Sequence, residues 1–207
     1  MNQNATVELG PQARVLPGFA ASAARQLLDD TLAIAQLSPF RHQVTPGGFQ
    51  MSVAATNCGR AGWVSDRRGY RYDPVDPVTG QPWPAMPHSY HEVAIVAAQR
   101  AGFSAFQPDA CLINRFTPGA RLSLHQDRSE RDTCHPVVTV SLGLPATFLW
   151  GGTRRSDKTR AVPLTHGDVV VFGGVDRLRF HGVKELPEGH HSPAGPNRYS
   201  LTFRTAL

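Results

Sequence analysis

Near its end the chain reads Arg198-Tyr199-Ser200-Leu201-Thr202-Phe203-Arg204. Apolar and polar side chains alternate at every step of this segment, and a period of two is typical of a β-strand with two different faces. The segment predicts a strand over residues 199–204. One face of this strand carries Tyr199, Leu201 and Phe203, and the other carries two arginines, a serine and a threonine.

Five more strand-like runs precede this segment, and Gly and Pro turns separate them. They cover residues 110–115, 137–142, 147–150, 168–172 and 179–183. Six short strands without intervening helices are typical of a sandwich or jelly roll. We therefore expect a mainly β fold with flanking helices (α+β), with its jelly-roll core over about residues 103–205.

The first half of the sequence predicts two helices and an irregular segment between them. Ser89 and Glu92 have the spacing of a capping box, which predicts a helix that ends near residue 102. Residues 41–86 combine Gly and Pro turn signals with scattered aromatics, so we expect a hairpin-rich lobe rather than a core layer. An earlier helix, over about residues 22–37, follows from a 3.6-residue period of Leu27, Leu28, Leu32 and Ala35.

The composition is that of a globular protein. The chain has 207 residues, 41% of them hydrophobic, which is enough for a single domain over residues 1–207. The first ten residues lack the apolar segment of a secretory signal, and no stretch approaches the roughly 20 apolar residues that span a bilayer. We therefore expect a cytoplasmic monomer with no membrane partner.

Cysteine content and net charge limit the possible classes of site and partner. Cys58, Cys111 and Cys134 are odd in number and widely spaced, which argues against a disulfide framework or a Cys-x-x-Cys zinc site. We interpret all three as buried or inert thiols. The formal net charge of +5 suits a polyanionic partner such as nucleic acid, although many basic proteins bind none.

The pattern with the clearest chemistry is His125-Gln126-Asp127 with a distant His181. Side chains at i and i+2 of an extended segment point to the same side, so His125 and Asp127 can aim at one point. His181 lies in the predicted strand over residues 179–183, which a jelly roll can place beside the first. Two imidazoles and one carboxylate that leave open positions are the ligand set of non-haem Fe(II) oxygenases.

Other interpretations of these histidines stay open at this point. A His-x-Asp pair is frequent in sequences without any metal. Residue 166 lies in a segment typical of a turn, and residues 190 and 191 lie in a Gly/Pro-rich loop, where ligand placement is less well defined. The alternative third ligands are His135, His166, His190 and His191.

The two arginines of the last predicted strand suggest an anion. Arg198 and Arg204 fall on the polar face, and arginines on an inward face are costly unless they meet negative charge. Guanidinium groups bind carboxylates with two parallel hydrogen bonds, so the pair could hold the two ends of a small diacid. The alternative is an ordinary edge strand with both arginines in solvent.

A larger set of segments covers nearly the whole chain from about residue 38 to 205. It includes Pro82-Trp83-Pro84-Ala85-Met86-Pro87 and Leu122-Ser123-Leu124-His125-Gln126-Asp127. The remaining segments are residues 44–48, 51–53, 56–59, 106–115, 140–146, 166–171 and 201–204. In this order they resemble the AlkB family of Fe(II)- and 2-oxoglutarate-dependent dioxygenases.

The resemblance implies a fold, a cofactor set and a reaction. The fold is a double-stranded β-helix (jelly roll) with a nucleotide-recognition lid over about residues 41–86. The metal is Fe(II) on His125, Asp127 and His181, with O₂ and 2-oxoglutarate as cosubstrates. The family removes alkyl groups oxidatively from bases such as 1-methyladenine and 3-methylcytosine, and releases formaldehyde, succinate and CO₂. The residues implied to bind 2-oxoglutarate are Asn114, Arg198, Ser200, Thr202 and Arg204.

The resemblance also implies a nucleic-acid partner and its contacts. Alkylated single-stranded DNA is the expected substrate, with RNA and double-stranded DNA as further candidates. A base at its Watson–Crick edge must be extruded or unpaired, and aromatic stacking can hold it. The implied contacts are Trp63, Tyr70, Thr45, Pro46, Ser129 and Arg155, with His125 as the opposite wall. Core packing is the alternative role of the two aromatics.

The sequence departs from the family at three positions. Phe116 stands where a Tyr is usual, which removes a hydroxyl worth about 1 kcal/mol of 2-oxoglutarate binding. Ser200 replaces a common Asn. Ser129 replaces an acidic residue that reads the exocyclic amino group of the base, and Glu130 follows it directly.

Three functional hypotheses follow. The first is a dealkylase of DNA or RNA bases, favoured by the basic charge and the aromatic pair. The second is the same iron chemistry on a protein or small-molecule substrate, for which Ser129 is the main argument. The third is a nucleic-acid-binding domain without activity, which the complete set of iron and cosubstrate residues opposes.

Overall fold

The computed structural model describes residues 5–207, and most of them lie in antiparallel strands. Residues 1–4 lie outside the described residues. They belong to the predicted domain and to the ten-residue segment in which we expect no secretory signal. The helices are α1 (Ala24–Leu37) and α2 (His88–Arg100), and a 3₁₀ turn covers Gly174–Asp176. The strands are β1 (Val7–Gly10), β2 (Ala13–Leu16), β3 (Arg41–Val44), β4 (Gln50–Gly59), β5 (Gly62–Asp66), β6 (Gly69–Asp73), β7 (Ala110–Phe116), β8 (Leu122–His125), β9 (Val137–Gly143), β10 (Ala146–Trp150), β11 (Arg160–Leu164), β12 (Val169–Phe172), β13 (His181–Val183) and β14 (Arg198–Arg204).

The strands of the described residues form three sheets. The largest has eight strands in the order β1-β2-β12-β9-β14-β7-β4-β3, and a second has four in the order β11-β10-β13-β8. The hairpin of β5 and β6 forms a small sheet of its own. The predicted mainly β jelly roll with flanking helices is confirmed.

Strand β14 lies in the middle of the large sheet, paired with β7 on one side and β9 on the other. All seven of its residues are buried. Tyr199, Leu201 and Phe203 pack with residues of both helices on the outer face, where the Tyr90 ring meets the Phe203 ring edge-on at 5.6 Å. The alternative of an exposed edge strand is therefore wrong, and the polar face of β14 points into the protein.

A second apolar cluster fills the space between the two larger sheets. It includes Val15 and Val170 of the large sheet and Phe148 and Trp150 of β10. Burial of each such side chain contributes about 1.5–3 kcal/mol to stability. This packing fixes the distance between the two sheets, and the polar face of β14 lies beside it.

Three predictions about the first half of the chain were wrong. Leu32 does not face the core, because 51% of it is exposed, and α1 instead buries Thr31 and Ile34. Ser89 does not cap α2, whose N-cap is Pro87, and the Ser89 hydroxyl bonds to the Asp30 carboxylate.

The third correction concerns residues 41–86. Strands β3 and β4 belong to the large sheet, and β4 pairs with β7 from Ala54 to Gly59. Strands β3 and β4 form a hairpin, as expected, but this part of the segment is a core layer, contrary to the prediction. The hairpin β5–β6 alone stands apart, so the boundaries of the lid remain a prediction.

The cysteines do not share one environment. Cys58 and Cys111 are fully buried and face each other across β4 and β7. Cys134 is exposed, so of the interpretation as a buried or inert thiol only burial is excluded for it. Within residues 5–207, neither helix has the length and apolar character that a bilayer-crossing helix requires.

Candidate active site

His125, Asp127 and His181 form one cluster at the edge of the four-stranded sheet. Strands β8 and β13 pair so that His125 lies directly opposite His181. β8 ends at His125, and Asp127 follows two residues later in the loop. The ligand atoms of the three residues all lie within 4.8 Å of one another. One ion could therefore contact all three, as the sequence predicts.

Hydrogen bonds orient both imidazoles for this purpose. The Nδ1 atom of His125 lies 2.9 Å from the Ser123 carbonyl, and that of His181 lies 3.0 Å from the Arg179 carbonyl. A carbonyl oxygen only accepts, so each Nδ1 carries the proton and each Nε2 keeps its lone pair. The two Nε2 atoms lie 3.6 and 3.8 Å from the Asp127 carboxylate. This tautomer is the one that binds a metal through Nε2.

The charges around Asp127 keep it ionised. Burial alone would raise the pKa of this carboxyl, but the Arg204 guanidinium beside it holds the pKa well below its usual range. Arg204 Nη2 lies 2.7 Å from Asp127 Oδ2. An ionised carboxylate and the Nε2 atoms of two imidazoles thus face one another and could bind a cation.

The pH dependence of the metal-free protein should report His181. Burial and the neighbouring His125 lower the pKa of His181 to about 4, against 6.5 for an ordinary imidazole. A lowered pKa means that the folded protein favours the neutral His181 ring. The resulting contribution to stability is complete above pH 6.5 and is lost as the pH falls toward 4. We expect the wild type with chelator to lose about 2 kcal/mol more than His181→Gln between pH 7 and 4.5. Urea unfolding at both values checks this, and equal losses would contradict it.

Arg198 is a buried cation with too few partners. It is 1% exposed, and its Nη2 donates to Ser141 Oγ at 3.0 Å. Its Nε and Nη1 are buried without a hydrogen-bond partner among the described residues. The guanidinium lies 5.0 Å from the Phe116 ring, and burial lowers the pKa of Arg198 to about 10. An unpartnered guanidinium of this kind is a binding site for an anion.

The rest of the polar face of β14 lines the same interior. Ser200 lies directly opposite Asn114 of β7 and Ser141 of β9. Thr139 Oγ1 donates to Thr202 Oγ1 at 3.4 Å. Directly opposite residues of an antiparallel pair share a face. The structure therefore brings together all five predicted cosubstrate residues: Asn114, Arg198, Ser200, Thr202 and Arg204.

Comparison with known proteins assigns this arrangement to a family. A family model described as the 2OG-Fe(II) oxygenase superfamily matches residues 12–204. The chain is 56% identical over 198 residues to the alpha-ketoglutarate-dependent dioxygenase AlkB of Salmonella typhimurium, covering 96% of this chain and 92% of that protein. It is 54% identical to AlkB of Escherichia coli, with the same coverage. The chain belongs to the AlkB family. A solved structure titled OsALKBH1 superposes with a TM-score of 0.83 at 27% identity, over 96% of this chain and all of that one.

Membership in the AlkB family makes the protein an Fe(II)- and 2-oxoglutarate-dependent dioxygenase. The donor set fits Fe(II), because two imidazoles and one carboxylate leave coordination positions open. The unpartnered nitrogens of Arg198 fit one carboxylate of 2-oxoglutarate. When bound, iron and 2-oxoglutarate supply the oxidising power of the reaction with O₂.

A buried ion-pair network lies beside the three metal-binding residues of this AlkB family member, and the sequence did not predict it. Glu130 accepts hydrogen bonds from Arg177 at 3.1 Å and from the Tyr72 hydroxyl at 2.8 Å, and it lies 3.2 Å from Arg204. Arg177 also donates to the Asp127 carbonyl. Glu130 is therefore fully engaged and does not replace the acidic residue missing at Ser129. These contacts join residues far apart in sequence, so no local motif could have revealed them.

The aromatic pair of the predicted lid lies on the hairpin β5–β6. The Trp63 and Tyr70 rings stack with centroids 5.6 Å apart and planes inclined by 14°. Tyr70 is 51% exposed, which excludes the alternative that it is a core residue. Trp63 lies directly opposite Tyr72, and Tyr70 is two residues from Tyr72, so all three side chains share one face.

The remaining residues predicted to contact the substrate lie outside the group of His125, Asp127 and His181. Thr45 and Pro46 form the turn between β3 and β4, and Thr45 Oγ1 accepts from the Phe49 amide at 3.1 Å. Ser129 is half-buried in the loop after Asp127. Arg155 is exposed, with its guanidinium 5.2 Å from the Phe180 ring.

The alternative third ligands are also accounted for. His190 is exposed, and the His166 and His191 rings contact each other with centroids 4.3 Å apart and planes tilted by 33°. His166 Nδ1 accepts the Gly143 amide at 2.9 Å. His135 belongs to a separate cluster with Asp132 and Cys134. None of these four joins the group of His125, Asp127 and His181 in the part of the chain that the structure describes.

Proposed function

We propose that this dioxygenase removes N-alkyl groups from bases such as 1-methyladenine and 3-methylcytosine in single-stranded DNA. The observation that carries the proposal is the hydrogen bond of 2.8 Å from Tyr72 to Glu130. It ties the hairpin face with Trp63 and Tyr70 to the loop that follows the metal ligand Asp127. A base that stacks on this face would lie beside the metal, where its alkyl group can be oxidised.

Each group of residues has a distinct task in this proposal. His125, Asp127 and His181 hold Fe(II). Arg204 keeps Asp127 ionised, and the Arg204 side chain also faces the cosubstrate. Arg198 binds one carboxylate of 2-oxoglutarate in a dry interior, with Asn114, Ser200 and Thr202 on the same wall. The hydroxymethyl product on the base nitrogen then releases formaldehyde and leaves the normal base.

The partner, the assembly and the location follow from the same proposal. Single strands suit the site because an unpaired base can reach it without the cost of breaking a duplex. Thr45, Pro46, Ser129 and Arg155 are proposed contacts to the strand and the base, with RNA and double-stranded DNA as further substrates. We propose that the protein acts as a monomer in the cytoplasm. Light scattering and cell fractionation would test these two statements.

The central experiment uses the purified protein with Fe(II), ascorbate, 2-oxoglutarate and a single-stranded oligonucleotide that carries one 1-methyladenine. We expect the oligonucleotide to lose the mass of one methylene unit and to release one formaldehyde per succinate. The loss should require both Fe(II) and 2-oxoglutarate. Succinate formation without any change in the oligonucleotide would refute this substrate while leaving the oxygenase assignment intact.

Tyr70→Ala should weaken binding of the methylated oligonucleotide by about tenfold, because stacking on an aromatic ring contributes about 1–3 kcal/mol per base. The exposed ring makes few core contacts, so the melting temperature should change little. Fluorescence anisotropy measures the affinity. Tyr70→Phe is the matched control and should bind like the wild type, since it keeps the ring. Equal affinity of Tyr70→Ala would remove Tyr70 from the site.

A second candidate is the same oxidation of a protein or small-molecule substrate. Ser129 favours it, because the carboxylate that reads an exocyclic amino group is missing there and Glu130 is already paired. Stimulation of succinate formation by methylated oligonucleotides separates the two candidates, since only a nucleic-acid substrate would cause it.

A further inference from the structure

A second group of metal-binding side chains lies in the loop between Asp127 and β9. Asp132, Cys134 and His135 each place one donor atom within 4.8 Å of the others. Asp132 and Cys134 are exposed and His135 is half-buried. The chain bends at Cys134 and His135, which allows these two adjacent side chains to turn toward the same point. The cluster is distinct from the iron site, because it shares no residue with it.

From this geometry we propose that Asp132, Cys134 and His135 bind one thiophilic divalent cation, with Zn²⁺ as the best match. Zinc takes thiolate, imidazole and carboxylate ligands and accepts three protein ligands with water in the fourth position. A carboxylate and a thiolate together carry two negative charges, which balance a divalent ion. The donor set is softer than that of the iron site, so the two sites differ in metal preference.

Existing contacts already hold the three donors close together. The Cys134 thiol donates to Asp132 Oδ2 at 2.8 Å, and the Cys134 amide donates to Asp132 Oδ1 at the same distance. Arg177 Nε donates to the His135 carbonyl at 3.0 Å. A bound cation replaces the thiol proton between Cys134 and Asp132, and that proton leaves to solvent. Little rearrangement of the loop is therefore needed.

A cysteine ligand distinguishes this site from the iron site. Cys134 is the exposed cysteine, whereas Cys58 and Cys111 are fully buried in the sheet, and the iron ligands contain no sulfur. Co²⁺ is a useful probe, because it occupies zinc sites and a thiolate ligand gives it a near-ultraviolet charge-transfer band. Binding of Co²⁺ at Cys134 can be measured without turnover of any substrate.

The test titrates Co²⁺ into the full chain in a phosphine reductant and follows the sulfur-to-cobalt band and the stoichiometry. We expect two equivalents, of which one produces the band and is displaced by Zn²⁺. Cys134→Ser should lose the band and one equivalent. His135→Ala should weaken that equivalent by about tenfold or more. His181→Ala should keep the band, since it alters only the iron site.

Three outcomes would overturn the proposal. A wild type without the band has no thiolate site. A band that survives in Cys134→Ser belongs to another cysteine. Unchanged affinity in His135→Ala means that Cys134 binds the ion without its neighbours. Alkylation of Cys134 by iodoacetamide gives an independent measure, because His135→Ala should need at least about tenfold more Zn²⁺ than the wild type for the same protection.

Discussion

His181→Ala is expected to reduce 2-oxoglutarate turnover to below about one thousandth of the wild-type rate, because the iron loses one of three protein ligands. His181 lies opposite His125, and its Nε2 is 3.8 Å from the Asp127 carboxylate. A metal held by the remaining two ligands would be bound weakly and in variable positions. Succinate formation and the iron content of the purified protein measure the two parts of this effect.

The folded state of this variant should survive. The His181 ring packs against the rings of Phe172, Phe148 and Trp150, with centroids 5.0 to 6.4 Å away. Its loss creates a small cavity at an apolar wall, which costs about 1–3 kcal/mol of stability. The protein should therefore keep its circular dichroism spectrum with a lower melting temperature.

His190→Ala is the matched control for this prediction. It removes an exposed imidazole nine residues further along the chain and should retain full turnover. If His181→Ala kept more than about a tenth of the wild-type activity in metal-controlled buffer, another histidine would have to complete the iron site. The neighbouring residues His166 and His191 would then be the next to replace.

The parts of the fold that were predictable have a strong local pattern. Strand β14 alternates at all seven positions, and both of its faces are buried in the structure. Strand β4 was missed for the opposite reason. Its buried residues 53–58 are mostly small, do not alternate, and follow the Gly/Pro turn at residues 46–48. Its place in the large sheet depends on pairing with β7, which no local signal encodes.

The candidate site shows the same division. The His-x-Asp spacing and the alternation of β14 follow from strand geometry, so these residues could be identified from the sequence. Ser141, Arg177 and Tyr72 reach the site through tertiary contacts across 50 residues or more. The helix signals were misleading where a side chain found a better distant partner, as Ser89 does with Asp30.

Arg198→Met is expected to have two large effects of opposite sign. Without 2-oxoglutarate the variant should be more stable than the wild type by about 1–3 kcal/mol, since it removes a buried charge with two unpartnered nitrogens. Methionine keeps an apolar side chain of similar length against Phe116. Its affinity for 2-oxoglutarate should fall by about 100-fold or more, because a buried carboxylate would lose its charged partner.

Two measurements separate these effects. Urea unfolding in a buffer free of dicarboxylates gives the stability, and calorimetric titration of 2-oxoglutarate into the Mn²⁺-loaded protein gives the affinity. In the wild type, 2-oxoglutarate should raise the unfolding free energy with the logarithm of its concentration once this exceeds the dissociation constant. In Arg198→Met this increase should nearly vanish at the same concentration.

Arg177→Met provides the contrast that decides the argument. Arg177 is as buried as Arg198, but its Nε, Nη1 and Nη2 bond to the His135 carbonyl, the Asp127 carbonyl and the Glu130 carboxylate. Its removal should destabilise the protein by about 3–5 kcal/mol, since it breaks a satisfied buried pair. If Arg198→Met were destabilised to the same degree, Arg198 would be a structural residue and not the anchor of the cosubstrate. Opposite signs for two equally buried arginines would show that the charge of Arg198 is retained for an anion that the fold itself does not supply.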